Sequence, residues 1–139
     1  MVVYRKDFEV STKGHTDIIN ISNIVEEIVR ESEIKDGLVN IFAVHSTAGI
    51  TTIEYEPGLI KDLKEAMERI APTGVPYHHD NTWGDGNGYA HIRSSIVGPG
   101  FTCPVVKGSP MTGTWQQIVL LDFDNRARKR RVVVTVIGE

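Results

Sequence analysis

The chain has 139 residues, of which 40% are hydrophobic and 24% charged, and its formal net charge is −3. These values predict one globular domain with a single hydrophobic core and exclude a disordered chain. No apolar run approaches the roughly 20 residues that a membrane-spanning helix needs. The first residues lack a signal-peptide pattern, and the single cysteine excludes an internal disulfide. We therefore expect a cytoplasmic protein that binds no membrane.

The first half of the chain contains strand-like and helix-like patterns in turn. Residues 38–44 form a nearly continuous apolar run, which predicts a strand buried on both faces. Other segments alternate loosely or repeat at the 3.6-residue period of a helix. In chain order, the predictions are strands at 2–10 and 18–21, a helix from Ser22, strands at 38–44 and 50–55, and a helix between Pro57 and Pro72.

The second half is dominated by predicted strands, after a glycine-rich segment. Residues 72–89 show no hydrophobic period, and a loop of this length is typical of a functional segment. Residues 90–97 fit either a short helix or a strand. Further strands are predicted at 101–106, 114–123 and 130–137. The turn at Asp124-Asn125 predicts that the last two form a hairpin. The pattern indicates one α+β domain, residues 1–139, with a large mixed or mainly antiparallel β-sheet covered by two or three helices.

The histidines are candidate metal ligands. Four of the five lie at element ends or in the glycine-rich segment, namely His45, His78, His79 and His91. A zinc-like ion takes three or four N, O or S donors, and neutral imidazole is the commonest nitrogen donor. His45, one of the adjacent pair and His91 therefore form a candidate site. The alternative is that they are surface or hydrogen-bonded histidines, because no metal-site spacing motif is present.

Another group of residues suits an anion such as phosphate. Glycines within residues 84–88 allow backbone N–H groups to approach an anion, although glycines are equally suited to turns. Arg93 supplies a planar set of donors, and Ser94 and Ser95 add two hydroxyl groups.

The basic run near the C-terminus is a second candidate for anion binding. On a strand, Arg128 and Arg130 share one face, whereas Lys129 and Arg131 take the other. The alternative is a solubilising strand that resists aggregation. Nucleic-acid binding is disfavoured, because the net charge is negative and no aromatic residues interleave with the run.

Carboxylates and tryptophans complete the candidates. Glu54, Asp80 and Asp85 are possible general bases or metal ligands. Trp83 and Trp115 are able to stack on a ring, although Trp115 equally suits a core position.

Five segments occur together in a specific order. They are residues 45–51 (His-Ser-Thr-Ala-Gly-Ile-Thr), 77–80 (Tyr-His-His-Asp), 87–91 (Asn-Gly-Tyr-Ala-His), 113–117 (Gly-Thr-Trp-Gln-Gln) and 128–130 (Arg-Lys-Arg). Over essentially the whole chain, this combination resembles the YjbQ-like family, also called uncharacterised protein family UPF0047. The resemblance implies an α+β fold with a large sheet. It also implies a homotrimer with the site near subunit boundaries, and a secondary thiamine-phosphate synthase activity.

The resemblance implies the histidine cluster, and the residue chemistry described above suggests the other site residues. The metal ligands would be His45, His79 and His91, with zinc as the favoured divalent ion and magnesium the alternative for a diphosphate substrate. The expected catalytic residues are Glu54, Asp80 and Arg93. The expected substrate-binding residues are Asn87, Ser94, Ser95, Trp115, Gln116, Arg128 and Arg130. Ile53 departs from the family pattern, in which many relatives carry asparagine.

The expected function is a metal-assisted enzyme acting on a phosphorylated small molecule. Its named version joins a pyrimidine diphosphate to a thiazole phosphate and releases pyrophosphate. Two alternatives stay open. One is a metal-dependent hydrolase of a small phosphate ester or cyclic substrate, and the other is a non-catalytic trimer that binds a metal or an anion.

Overall fold

A computed structural model describes all 139 residues as eight strands and four helices. The predicted α+β class is confirmed. Residues predicted as either helix or strand form a helix, α4, and a further short helix, α3, lies in the predicted loop. The elements are β1 (Val2–Thr12), β2 (Asp17–Asn20), α1 (Ser22–Ser32), β3 (Asp36–Ala43), β4 (Ala48–Ile53), α2 (Pro57–Ile70), α3 (His78–Trp83), α4 (Gly88–Val97), β5 (Gly100–Val106), β6 (Ser109–Pro110), β7 (Gln117–Asp122) and β8 (Arg128–Gly138).

The strands form two antiparallel sheets. The larger has the order β1-β8-β3-β5-β6, and the smaller has the order β2-β7-β4. The predicted hairpin between the last two strands is wrong, because β7 pairs with β2 and β4 while β8 pairs with β1 and β3. Both edges of each strand are already paired, so the turn after β7 carries the chain from one sheet to the other.

The smaller sheet is the middle layer of the molecule. Ile118 and Leu120 of β7 pack in a core cluster with α1 and the inner face of the larger sheet. Val119, Leu121 and Phe123 alternate with them and pack in a second cluster with α2 and α4. Because successive strand residues point to opposite faces, one strand supplies both cores.

The outer face of the larger sheet has no covering layer. Val39 and Ile41 of β3 are fully buried, whereas Leu38 and Phe42 are 48% and 39% exposed. The prediction that this strand is buried on both faces is therefore wrong. A run of apolar residues does not reveal whether a second layer covers the sheet.

Capping interactions position α2 and α4. The Glu56 carboxylate accepts hydrogen bonds from the N–H groups of Gly58 and Leu59 at the start of α2. At the start of α4, Gly88 N–H donates to Asp80 of α3, and a Cβ on Gly88 would lie 2.7 Å from the Tyr77 Cβ. Glycine is thus required for this close approach. No helix has the length and apolar composition needed to cross a membrane.

Candidate functional site

Charged residues replace apolar ones at one end of the core between the sheets. On β8, Val132 faces the core and the next inward position, two residues earlier, is Arg130. On β7, Leu120 faces the same core and the next inward position is Asp122. The two-residue period of both strands therefore brings this arginine and this aspartate together where the chain crosses between sheets.

Arg130 and Asp122 form a buried two-point ion pair. Arg130 Nε and Nη2 each donate to a different oxygen of Asp122 at 2.7 Å, and Nη2 also donates to Thr47 Oγ1 at 2.7 Å. The Thr12 hydroxyl donates to the same carboxylate. Arg130 is 4% exposed and Asp122 is fully buried. Nη1 of Arg130 makes no hydrogen bond or ion pair with the protein.

A second buried carboxylate, Asp124, follows at the end of β7. Its oxygens accept from Arg128 Nε at 2.9 Å, Asn87 Nδ2 at 3.2 Å, Thr47 Oγ1 at 3.2 Å and Asn125 N–H at 2.8 Å. Burial opposes ionisation, but the hydrogen bonds from Asn125 and Asn87 and the charge of Arg128 together lower the pKa of Asp124. Asp124 is therefore ionised near neutral pH and acts only as an acceptor.

A polar cavity of about 400 Å³ opens beside these carboxylates. A single hydrophobic residue, Val44, contributes to its wall. The other lining residues are His45, Ser46, Thr47, Asp85, Asn87, His91, Asp124, Arg128 and Arg130. The structure thus brings together five of the expected site residues and the candidate carboxylate Asp85, from segments between 45 and 130.

His45 lines the cavity, and one of its ring nitrogens accepts a hydrogen bond while the other carries a proton. Its Nε2 accepts from the backbone N–H of Arg131 at 2.8 Å, so the proton of the neutral ring lies on Nδ1. Burial, and then the charge of Arg130, lower the pKa of His45. The neutral form therefore predominates near neutral pH.

His91 lies against His79, with ring centroids 4.3 Å apart. Burial, and then the nearby His79, lower the pKa of His91. The Nδ1 atom of His79 is buried without a hydrogen-bond partner and lies 3.7 Å from Asp80. His91 makes no side-chain hydrogen bond of its own, so its ring nitrogens are free for a ligand.

The three histidines do not form a metal site within one chain. No group of three or more His, Cys, Asp or Glu side chains has an arrangement able to hold a metal ion. In addition, Nε2 of His45 already accepts a hydrogen bond from the backbone N–H of Arg131. The arrangement within one chain therefore does not fit the predicted site of three imidazoles. The zinc or magnesium ion itself stays a prediction.

Arg93 lies away from the cavity. Its Nε and Nη2 donate to the carbonyl oxygen of Ala71 at 3.0 and 2.8 Å, Nη1 donates to Thr16 Oγ1 at 2.9 Å, and Nη2 also pairs with Glu68 at 2.9 Å. The guanidinium stacks over Tyr89, 4.8 Å from the ring centre. All three nitrogens are used, so the structure gives Arg93 a role in joining α4 to the end of α2.

Three other predicted residues make structural hydrogen bonds outside the cavity. The Ser94 hydroxyl is buried and donates to the Ala48 carbonyl oxygen at 2.6 Å. The Ser95 hydroxyl donates to the His91 carbonyl oxygen one turn earlier in α4. Asp80 caps the start of the same helix. These three side chains therefore help to hold α4 in place.

Glu54 and Trp115 line a different cavity of about 440 Å³. Trp115 is 74% exposed on the turn before β7, so the core alternative for it is wrong. Gln116 fixes this turn through its Nε2, which donates to Thr52 Oγ1, and through its Oε1, which accepts from Gly113 N–H. None of these residues lines the cavity that contains the histidines.

Sequence reasoning missed three residues that organise the histidine-containing cavity: Thr47, Asp122 and Asp124. One available signal was the recurrence of aspartate at alternate positions where a buried apolar run ends. Strand alternation places both carboxylates on one side, as it does for Arg128 and Arg130.

The fold and the cavity define a small α+β protein with two antiparallel sheets and a polar pocket where the chain crosses between them. The model of the UPF0047 protein YjbQ-like family matches residues 6–139. The chain belongs to this family.

Relatives with similar sequences and folds come from several archaea. A UPF0047 protein of Methanothermobacter thermautotrophicus is 33% identical over 139 residues, covering 100% of this chain and 95% of the relative. One from Archaeoglobus fulgidus is 37% identical over 131 residues, covering 94% and 99%. The crystal structure of a YbjQ-like protein of unknown function from Sulfolobus solfataricus P2 gives a TM-score of 0.94 at 34% identity, covering 99% of each chain.

Proposed function

We propose that the protein is an enzyme that binds a phosphorylated small molecule in the cavity beside Arg128 and Arg130. The supporting observation is that both arginines line the cavity and neither uses its Nη1 in a hydrogen bond or ion pair. Guanidinium N–H groups are preferred partners of phosphate oxygens.

The charge balance determines how such a ligand would bind. Asp122 and Asp124 already neutralise the two arginines within the buried network. Binding would therefore depend on directed hydrogen bonds from the two Nη1 atoms more than on net positive charge. We expect the affinity for a phosphate ester to change only moderately with salt concentration, since buried pairs are weakly screened.

The imidazoles supply the proposed acid–base chemistry. His91, with its lowered pKa, is neutral near pH 7 and acts as the proton acceptor. His45 donates through Nδ1–H and stabilises negative charge that develops on the substrate. This assignment replaces Glu54 and Asp80 as proton-transfer residues and requires no step through a metal ion.

The finer version of the proposal is the reaction that the family resemblance implied. A pyrimidine diphosphate would be joined to a thiazole phosphate with release of pyrophosphate. Hydrolysis of a phosphate ester uses the same neutral imidazole to activate water and is the second reaction to assay. A protein that binds phosphate esters but turns over neither substrate set is instead a non-catalytic binding protein.

The homotrimer stays a prediction, and we place the contact between copies on the outer face of the larger sheet. Leu38 and Phe42 are 48% and 39% exposed on this uncovered side. Phe42→Lys should lower the mass measured by sedimentation, because it places a charge in an apolar contact. If the wild-type protein is an oligomer and Phe42→Lys has the same mass, the contact between copies lies elsewhere.

The central experiment separates binding from turnover. Arg128→Met should weaken the binding of a phosphate ester about tenfold by removing one hydrogen-bonding charge. His91→Gln should bind normally but reduce turnover by about 100-fold, in line with the loss of a general base. His78→Ala is the matched control, since His78 is exposed and outside the cavity.

Calorimetry and release of phosphate or pyrophosphate provide the two measurements. If wild-type protein binds no phosphate ester with a Kd below about 10 mM, which is a very weak affinity, the proposed function is wrong. If His78→Ala and His91→Gln reduce turnover equally, His91 is not the base.

A further inference from the structure

The side-chain amide of Asn87 has a fixed orientation. Asn87 is 4% exposed, and its Nδ2 donates to Asp124 Oδ1 at 3.2 Å. Because the ionised carboxylate can only accept, turning the amide over would set two oxygens against each other. The amide oxygen is therefore the atom left for other contacts.

That oxygen, Oδ1 of Asn87, is buried and has no hydrogen-bond partner. A buried acceptor without a partner costs about 1–3 kcal/mol. Asn87 lines the same cavity as His45, Arg128 and Arg130. These three present N–H groups, and Asn87 adds a neutral acceptor beside the carboxylates of Asp85 and Asp124, whose negative charges disfavour contact with an anionic ligand.

A cavity with these groups recognises two features of one ligand. The Nη1 atoms of Arg128 and Arg130 fit phosphate oxygens, whereas Asn87 Oδ1 accepts only from an N–H or O–H group. A ligand that lacks this donor would leave the buried oxygen unpaired in the complex, and such losses discriminate strongly between analogues.

We infer that Asn87 determines specificity: the cavity selects phosphate esters that carry a hydroxyl or amino group able to donate to Asn87 Oδ1. The inference rests on the proposed function, because the phosphate must occupy the arginine side of the cavity. It narrows the substrate class to phosphorylated molecules with a hydrogen-bond donor on the remaining part of the molecule.

The test compares two probes of equal chain length. Glycerol 3-phosphate carries hydroxyl donors, and propyl phosphate carries none. Wild-type protein should bind glycerol 3-phosphate about tenfold more tightly in calorimetry or ligand-observed NMR. In Asn87→Ala the ratio between the two affinities should fall close to one, because the acceptor is gone.

Two control variants separate this effect from a general disturbance. His78→Ala, a change outside the cavity, leaves the Asn87 oxygen in place and should keep the preference for glycerol 3-phosphate. Arg128→Met should weaken both probes by the same factor, since both carry the phosphate.

The outcomes distinguish the inference from the proposed function. If wild-type protein binds both probes equally well, the inference is wrong and the phosphate site stands. If Asn87→Ala keeps the tenfold preference, another residue reads the donor and the inference is equally wrong. If neither probe binds, the proposed function fails and the inference fails with it.

Discussion

Two buried arginines, Arg93 and Arg130, show how similar burial leads to different roles. They are 3% and 4% exposed, and the side chain of each joins distant parts of the chain. Arg93 uses all three guanidinium nitrogens on acceptors of the protein, two of its bonds going to a backbone carbonyl group. Arg130 leaves Nη1 unused beside a polar cavity. Burial alone therefore does not distinguish the two arginines, whereas the unused donor makes Arg130 the candidate for ligand binding.

The carboxylate partners differ in the same way. Glu68, the partner of Arg93, has a side chain that is 49% exposed, whereas Asp122, the partner of Arg130, is fully buried. An exposed ion pair contributes little because water solvates each charge alone, but a buried charge that loses its partner is costly. The two clusters thus respond differently to substitution.

The largest effects on the free energy of unfolding are expected when the two arginines are replaced in separate variants. Arg130→Met leaves Asp122 buried without its partner and should lower the free energy of unfolding by about 3–5 kcal/mol. Arg93→Met loses hydrogen bonds to neutral acceptors and a partially solvated ionic partner, and we expect a loss of about 1–3 kcal/mol. Urea denaturation measures both. Equal losses would show that the exposure of the partner carboxylate does not determine how much stability is lost.

Acid should weaken both clusters, because hydrogen bonds from Thr73 also lower the pKa of Glu68. The pKa of Asp124 is lower in the folded protein than its ordinary value of 3.8, so the unfolded chain binds more protons in this range. The stability contributed by Asp124 is therefore present above pH 3.8 and is lost as the pH falls through its folded pKa.

Asp124→Asn tests this dependence, because it removes the titrating group. The variant should be less stable near neutral pH but should lose less stability than wild type between about pH 5 and pH 2. Glu68→Gln is the comparison from the other cluster. Denaturation curves at several pH values measure the slopes, and an unchanged slope in Asp124→Asn would contradict the assignment.

The smallest effect is expected at neutral pH for Glu68→Gln. Its ion pair with Arg93 is half exposed at the carboxylate, and Arg93 keeps its bonds to Ala71 and Thr16. We expect a change within about 1 kcal/mol. A loss comparable to that of Arg130→Met would mean that Glu68 is a buried partner in solution.

Local patterns predicted much of the fold but assigned some functional groups wrongly. The period of β8 predicted that Arg128 and Arg130 share a face, and the structure has both at the cavity. Arg93 followed by two serines resembled an anion site, but the sequence could not show that a carbonyl group 22 residues away takes its donors. Likewise, local turn rules predicted pairing of β7 with β8, although distant strands occupy both edges of each.

The short segment that joins β7 to β8 has a consequence for how this family tolerates changes in length. Insertions are usually harmless in surface connections, which adjust without disturbing the elements they link. Here Asp122 ends β7, Asp124 follows in the connection, and Arg128 and Arg130 begin β8 in the other sheet. One added or deleted residue would alter the spacing between acidic and basic partners, so we expect this connection to accept substitutions far more readily than indels.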